Sequence, residues 1–143
     1  MISTMGYFRM LLLCACMLLL AGEGIAQTSQ RKAVVDLSSG DTAVMSVTLR
    51  QLRNFRNADP QAQLELVCHG PAVKLLMTDS TFFRDQVVSL KKEQVEFKAC
   101  GNSMKRMNIK AEQLLPESDV VPAAIIELSD KQQEGWSYIK AGR

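Results

Sequence analysis

The chain has 143 residues, 47% hydrophobic and 22% charged, with a formal net charge of +2. That balance is too mild for a phosphate-tracking surface: basic residues alternate with acidic ones, and no basic run with interleaved aromatics exists, so the sequence argues against nucleic acid as a partner. The length supports one domain with a core of its own and excludes two.

At the start, Met1 to Arg9 carries one positive charge, Met10 to Leu20 is an unbroken apolar run, and Ala21 to Ala26 places small residues where a signal peptidase reads. This predicts a secretory signal peptide over 1–26 and an exported domain over 27–143, periplasmic or secreted. The run is too short to span a bilayer, which takes about 20 residues, and no second one follows. Cys14-Ala-Cys16 raises the question of lipidation, but Met17 to Leu20 continue the apolar core beyond Cys16, which argues against it.

Lys32 to Leu37 reads as a strand, and Ser38-Ser-Gly-Asp41 as a loop whose Asp41 caps a helix carrying Met45, Leu49, Leu52 and Phe55. Asp59-Pro60 stops that helix. Leu64 to His69 is a second strand ended by Gly70-Pro71, and Ala72 to Met77 a short helix. Phe83, Val87 and Leu90 form the stripe of a longer helix reaching Glu93. The strand around Cys100 follows, and then a helical stretch from Met104 to Leu115 with a break near Asn108, closed by Pro116. Asp119 to Val121 reads as a fourth strand and Pro122 as the first turn of a helix that runs on through Ala123 to Gln133; Trp136 to Lys140 alternates like a last strand. This order predicts an α/β fold: a three-layer α/β/α single domain with a mostly parallel five-stranded sheet.

In such sheets reactive groups collect outside the carboxyl ends of the strands. Cys100 stands there, at a strand end facing the start of the next helix, where free amides and the helix dipole favour thiolate. Gly101 permits the tight turn, and Asn102 and Ser103 either stabilise an anion or cap the helix. His69, the only histidine, is either structural or a proton relay to Cys100. Cys68 admits three readings: a core thiol, a resolving partner for Cys100, or half of a disulfide. Gly70 and Ser39 join the candidate anion-binding set, although the Ser38 to Asp41 loop also reads as a capped turn.

The order DLSSGD, VCHGP, KACGNSM, LLP, VVPAAIIEL and KQQEGWSYIK resembles the DsrE/DsrF-like, YchN-type sulfur-relay family over almost the whole exported part. The resemblance implies small α/β subunits assembled as homo-oligomers, trimers or hexamers. It also implies a cysteine that carries sulfur as a persulfide between donor and acceptor proteins, with Cys100 at the matching position. The expected role of Cys100 is then nucleophile and persulfide carrier. Two departures accompany it: an export signal, and no trace of the partners in one polypeptide. A binding or assembly module of the same fold, and a thiol redox sensor cycling Cys68 with Cys100, are the alternatives.

One histidine and two separated cysteines lack the spacing of a metal site, and neither a P-loop nor GxGxxG is present, so no metal or nucleotide cofactor is expected. Met45, Met77, Met104 and Met107 suit packing better than copper binding. Trp136 and Tyr138 read as cover for the sheet edge or for a neighbouring subunit.

Overall fold

The computed structural model describes residues 30–79 and 82–142. The expected signal peptide, with Cys14 and Cys16, lies outside them. Strand β1 (Lys32–Leu37) leads into helix α1 (Thr42–Ala58), β2 (Gln63–Cys68), a 3-10 helix (Gly70–Leu76) and α2 (Arg84–Lys92). Strand β3 (Val95–Cys100), α3 (Gly101–Met107), a 3-10 turn (Ala111–Gln113), β4 (Ser118–Val121), α4 (Ala124–Gln133) and β5 (Ser137–Ala141) complete the order.

Local chemistry accounts for most boundaries. The Asp41 carboxylate accepts the Ala43 N–H at 2.7 Å, the cap expected there and worth about 1 kcal/mol. Met45, Leu49 and Leu52 lie on one buried stripe of α1, and Asp59 ends it. Arg56, also buried, donates to the carbonyls of Pro60 and Gln94, tying the helix end to the loops around it.

Four expectations are corrected. The stretch from Met104 to Leu115 breaks at Asn108, φ 54°, as expected, but α3 begins three residues earlier, at Gly101, and only Ala111–Gln113 is helical after the break, as a 3-10 turn. At Asn108 the amide side chain tolerates the left-handed conformation. The short helix expected over 72–77 is a tight 3-10 helix over Gly70–Leu76, with Pro71 in its first turn. Pro122 precedes α4 rather than opening it, and Trp136 lies just before β5.

The sheet is wholly parallel, in the order β4-β3-β2-β1-β5. Strands β1 to β4 are laid down in one direction, and the connection through α4 then returns to the far side of β1. Right-handed crossovers in opposite directions put their helices on opposite faces. The first face, with Leu37, Leu66, Cys68, Phe97 and Ala99, is packed by α1, α2, the first 3-10 helix and Met104 of α3. The second face carries a smaller cluster of Val34, Val67 and Cys100 under Ala124 and Leu128 of α4. It also carries charge: Asp36 and Glu65 are 5% and 1% exposed.

Burial pushes Glu65 up to about 7, against the attraction of Lys131; nearby Glu127 adds to the rise. A carboxyl raised in the folded state binds more protons than its unfolded counterpart, so stability falls as pH rises from about 4.5 toward 7. Denaturant titrations at pH 5 and pH 8 should therefore show Glu65→Gln gaining on the native chain at the higher pH, on the order of 2 kcal/mol. An equal difference at both pH values would contradict this account of Glu65.

Candidate functional site

Cys100 is the last residue of β3 and pairs across the sheet with Val121 of β4. Its neighbour Ala99 pairs with Cys68 of β2. Because side chains alternate along a strand, the two cysteines point to opposite faces of the sheet. Both are free thiols. The disulfide and the two-cysteine sensor are thus corrected, since a bond would require one strand to turn over. Cys68 is fully buried, and burial, with the Asp36 charge beyond it, pushes its thiol up, far out of the reactive range.

Cys100 meets the reverse balance. Burial opposes its thiolate, but hydrogen bonds from the Ser103 hydroxyl and from the amides of Ala124, Ser103 and Asn102 outweigh it and hold the thiol below its ordinary value. The Ala124 N–H lies 3.3 Å from the sulfur. Gly70 N–H donates to Ser103 Oγ at 2.8 Å, which leaves the hydroxyl proton free for Cys100. Gly70 sits at φ +52°, a left-handed conformation that glycine adopts at little cost. Gly101 is there for a different reason than the expected turn: a Cβ would stand 3.2 Å from the Val121 carbonyl oxygen, against which the helix start is packed. The Asn102 amide also donates to Pro122 O at 3.2 Å, so it is shared between two acceptors.

The sulfur lines a cleft of about 290 Å³ with Asp36, His69, Asn102, Ser103, Arg106 and Ile125. The structure therefore brings Cys100, His69, Asn102 and Ser103 together, with Gly70 acting through Ser103. It does not bring Ser39, whose Oγ accepts the Asp41 N–H at 3.1 Å within its own loop. A smaller apolar groove between α1 and Ile139 holds no reactive side chain.

Asp36 escaped the sequence reading. Its carboxylate accepts from Tyr138 Oη at 2.7 Å and Lys140 Nζ at 2.9 Å, and lies 2.8 Å from His69 Nε2. Burial raises this carboxyl, but the hydrogen bonds from Tyr138, Lys140 and His69 outweigh it and keep Asp36 ionised. An ionised carboxylate only accepts, so His69 carries its proton on Nε2 and leaves Nδ1 as the second nitrogen. The bond to Asp36, with a smaller share from burial, pushes the Tyr138 hydroxyl up to about 12. The one local signal for Asp36 was a charge inside an apolar strand; two of its partners, Tyr138 and Lys140, lie more than 100 residues away. Arg106, exposed at the cleft rim, forms no ion pair among the described residues.

The expected reading of Tyr138 and Trp136 as edge cover is half right. β5 is an edge strand and Tyr138 is 43% exposed, but its hydroxyl belongs to Asp36. The Trp136 ring instead lies under Lys131 Nζ, 4.7 Å from its centroid. Met45 and Met104 are buried and Met77 packs against the same core. Among the described residues no three His, Cys, Asp or Glu side chains come together as metal ligands, and no helix is long and apolar enough to cross a membrane.

A family model described as the DsrE/DsrF-like family matches residues 30–141. A protein of unknown function, MTH1491 from Methanobacterium thermoautotrophicum, shares the fold with TM-score 0.75 and 25% identity, over 78% of this chain and 99% of that one. The ychN protein from E. coli superposes with TM-score 0.66 at 14% identity, over 78% and 98%. The conserved protein of unknown function BT1422 from Bacteroides thetaiotaomicron does so with TM-score 0.66 at 15% identity, over 80% and 98%. The last two are likenesses of fold alone. No curated protein matches the chain.

The Ser103 hydroxyl is the largest of the stabilising contacts on the sulfur, so its loss is the sharpest test of the site. Alkylation of Cys100 by iodoacetamide across pH should have a midpoint below that of a free thiol, and Ser103→Ala should raise it by about one unit, the worth of one hydrogen bond to a charged group. Cys68 should stay unlabelled in the folded protein. A midpoint unmoved by Ser103→Ala would remove this account of the sulfur.

Proposed function

This chain belongs to the DsrE/DsrF-like family, and on that premise we propose that it is an exported sulfur carrier whose Cys100 accepts sulfane sulfur and passes it on as a persulfide. The observation that carries the reading is a cysteine with four hydrogen-bond donors lowering its thiol value, opening into a cleft beside the only histidine. A packing cysteine has no use for that arrangement; Cys68 on the opposite face shows what one looks like.

The chemistry balances without an outside oxidant. The Cys100 thiolate attacks the outer sulfur of a donor such as thiosulfate or a polysulfide. A new S–S bond forms, the donor's bond to that sulfur breaks, and sulfite or the shortened polysulfide leaves with the electron pair. An acceptor thiolate then attacks the terminal sulfur of Cys100–S–S⁻ and restores the Cys100 thiolate. The donors that hold the thiolate also suit the persulfide anion, which is more acidic than a thiol and needs the same neutralising contacts. Arg106 at the rim offers an anchor for an anionic donor. His69 Nδ1 is placed to exchange protons within the cleft, with Asp36 fixing the ring through Nε2. Neither step calls for a metal or a nucleotide.

Export rests on the leader in residues 1–26. Assembly into an oligomer is supported by Val120, Ile125 and Ile126, which are 45%, 75% and 58% exposed, and the trimer or hexamer is what the resemblance implies. The same apolar patch favours the second reading, in which the fold serves only as a binding or assembly module and Cys100 performs no transfer.

Mass spectrometry after incubation with polysulfide, or with thiosulfate and a thiol, should show one added sulfur atom on Cys100, removed by dithiothreitol and absent in Cys100→Ser. No adduct from any of these donors would leave the assembly module standing. Light scattering should give a multiple of the subunit mass, reduced by Ile125→Asp with Ile126→Asp.

A further inference from the structure

A second cleft, of about 420 Å³, opens on the same face of the sheet but near the amino ends of β2 and β3, beyond the far end of α4. It takes no part in the sulfur chemistry. Two buried polar atoms that line it have no hydrogen-bond partner. Glu65 is 1% exposed and its Oε1 has no hydrogen-bond partner. Trp136 Nε1, buried, donates to nothing. Lys131 Nζ stands beside them, 3.5 Å from Glu65, 3.7 Å from Glu127 and 3.8 Å from Glu134 and over the Trp136 ring. Buried donors and acceptors are satisfied in nearly all native structures, so Glu65 Oε1 and Trp136 Nε1 ask for a partner.

We propose that this cleft binds a free α-amino acid, its carboxylate accepting from Lys131 and Trp136 and its ammonium donating to Glu65. The charges facing the cleft are Glu65 on β2, Glu96 and Lys98 on β3 and Lys131 on α4. Both signs are present, with Glu127 and Glu134 also close to Lys131, so each end of a zwitterion meets an opposite charge. The space far exceeds the roughly 30 Å³ that one water occupies. Gln30, Gln63 and Gln94 line the same cleft with amides that can donate or accept, and Ala62 and Leu64 are its apolar members. That lining favours a small polar side chain such as that of glutamine or serine.

Trp136 is the only tryptophan in the chain, so its fluorescence reads the site directly. Titration of the whole protein with glutamine, serine or alanine should give a saturable change at millimolar concentration or below. N-acetylalanine and alaninamide, each lacking one charge, should bind about tenfold weaker or worse, as should Lys131→Met and Glu65→Gln with circular dichroism unchanged. No saturable response to any amino acid, an equal response to sorbitol, or full binding by a folded Lys131→Met overturns the proposal. Such a result leaves the Cys100 reading untouched, because the persulfide assay reports on the other cleft.

Discussion

The alternation of side chains along a pleated strand, with a period of two residues, decides what each sulfur can be. Cys68 and Ala99 share one face of the sheet; Cys100, one step further along β3, belongs to the other. The first face lies under α1, α2 and a 3-10 helix, a thickness of hydrocarbon in which a thiolate cannot exist. The second is covered by one helix, whose first amide reaches the sulfur. Identical side chains on adjacent strands thus acquire opposite chemistries from position alone. A shift of one residue in the register of β3 would turn Cys100 toward the face that Cys68 occupies and dismantle the site.

That thin cover has a second effect. A single helix cannot shield the whole of one sheet face, and the uncovered flanks hold charge instead of hydrocarbon. Lys98 pairs with Asp119 at 2.8 Å and lies 3.8 Å from Glu96, while Lys91 reaches Glu96 at 2.6 Å. Exposed pairs of this kind contribute little to stability, commonly under about 1 kcal/mol. Asp36 differs because it is buried and has three partners. Its network is expensive to leave half made, since a lone buried carboxylate is far less favourable than a satisfied one. The sulfur site therefore stands between a small apolar cluster, which gives it shape, and a polar hub, which fixes its histidine.

Much of the fold was legible in the sequence because the signals were local. The periodicity of Met45, Leu49 and Leu52, the cap at Asp41 and the alternating WSYIK segment each describe a few neighbouring residues. Cys100 and Ser103 were found for the same reason, since the strand end and the helix start adjoin in the chain. What was not legible depends on pairing at a distance. Nothing near Asp36 announces Tyr138 or Lys140; only the parallel register of β1 with β5 sets Asp36 opposite Lys140. Ser39 was misplaced by the converse error: a loop at the correct edge of the sheet spends its hydroxyl on its own turn. The break expected near Asn108 is there, at a left-handed residue, but the helix before it starts at Gly101 rather than Met104.

The pairing of β1 with β5 also bears on how the molecule comes into being. Asp36 emerges early from the ribosome, whereas Tyr138 and Lys140 follow more than 100 residues later. Contacts that distant are slow to close, because a long loop must be ordered before any interaction rewards it. Until then, β1 holds an acid without its counterions and an open edge toward solvent, the features that invite misassembly in nascent chains. Arrival of the final strand covers that edge of β1 and brings Tyr138 and Lys140 to the acid in one event.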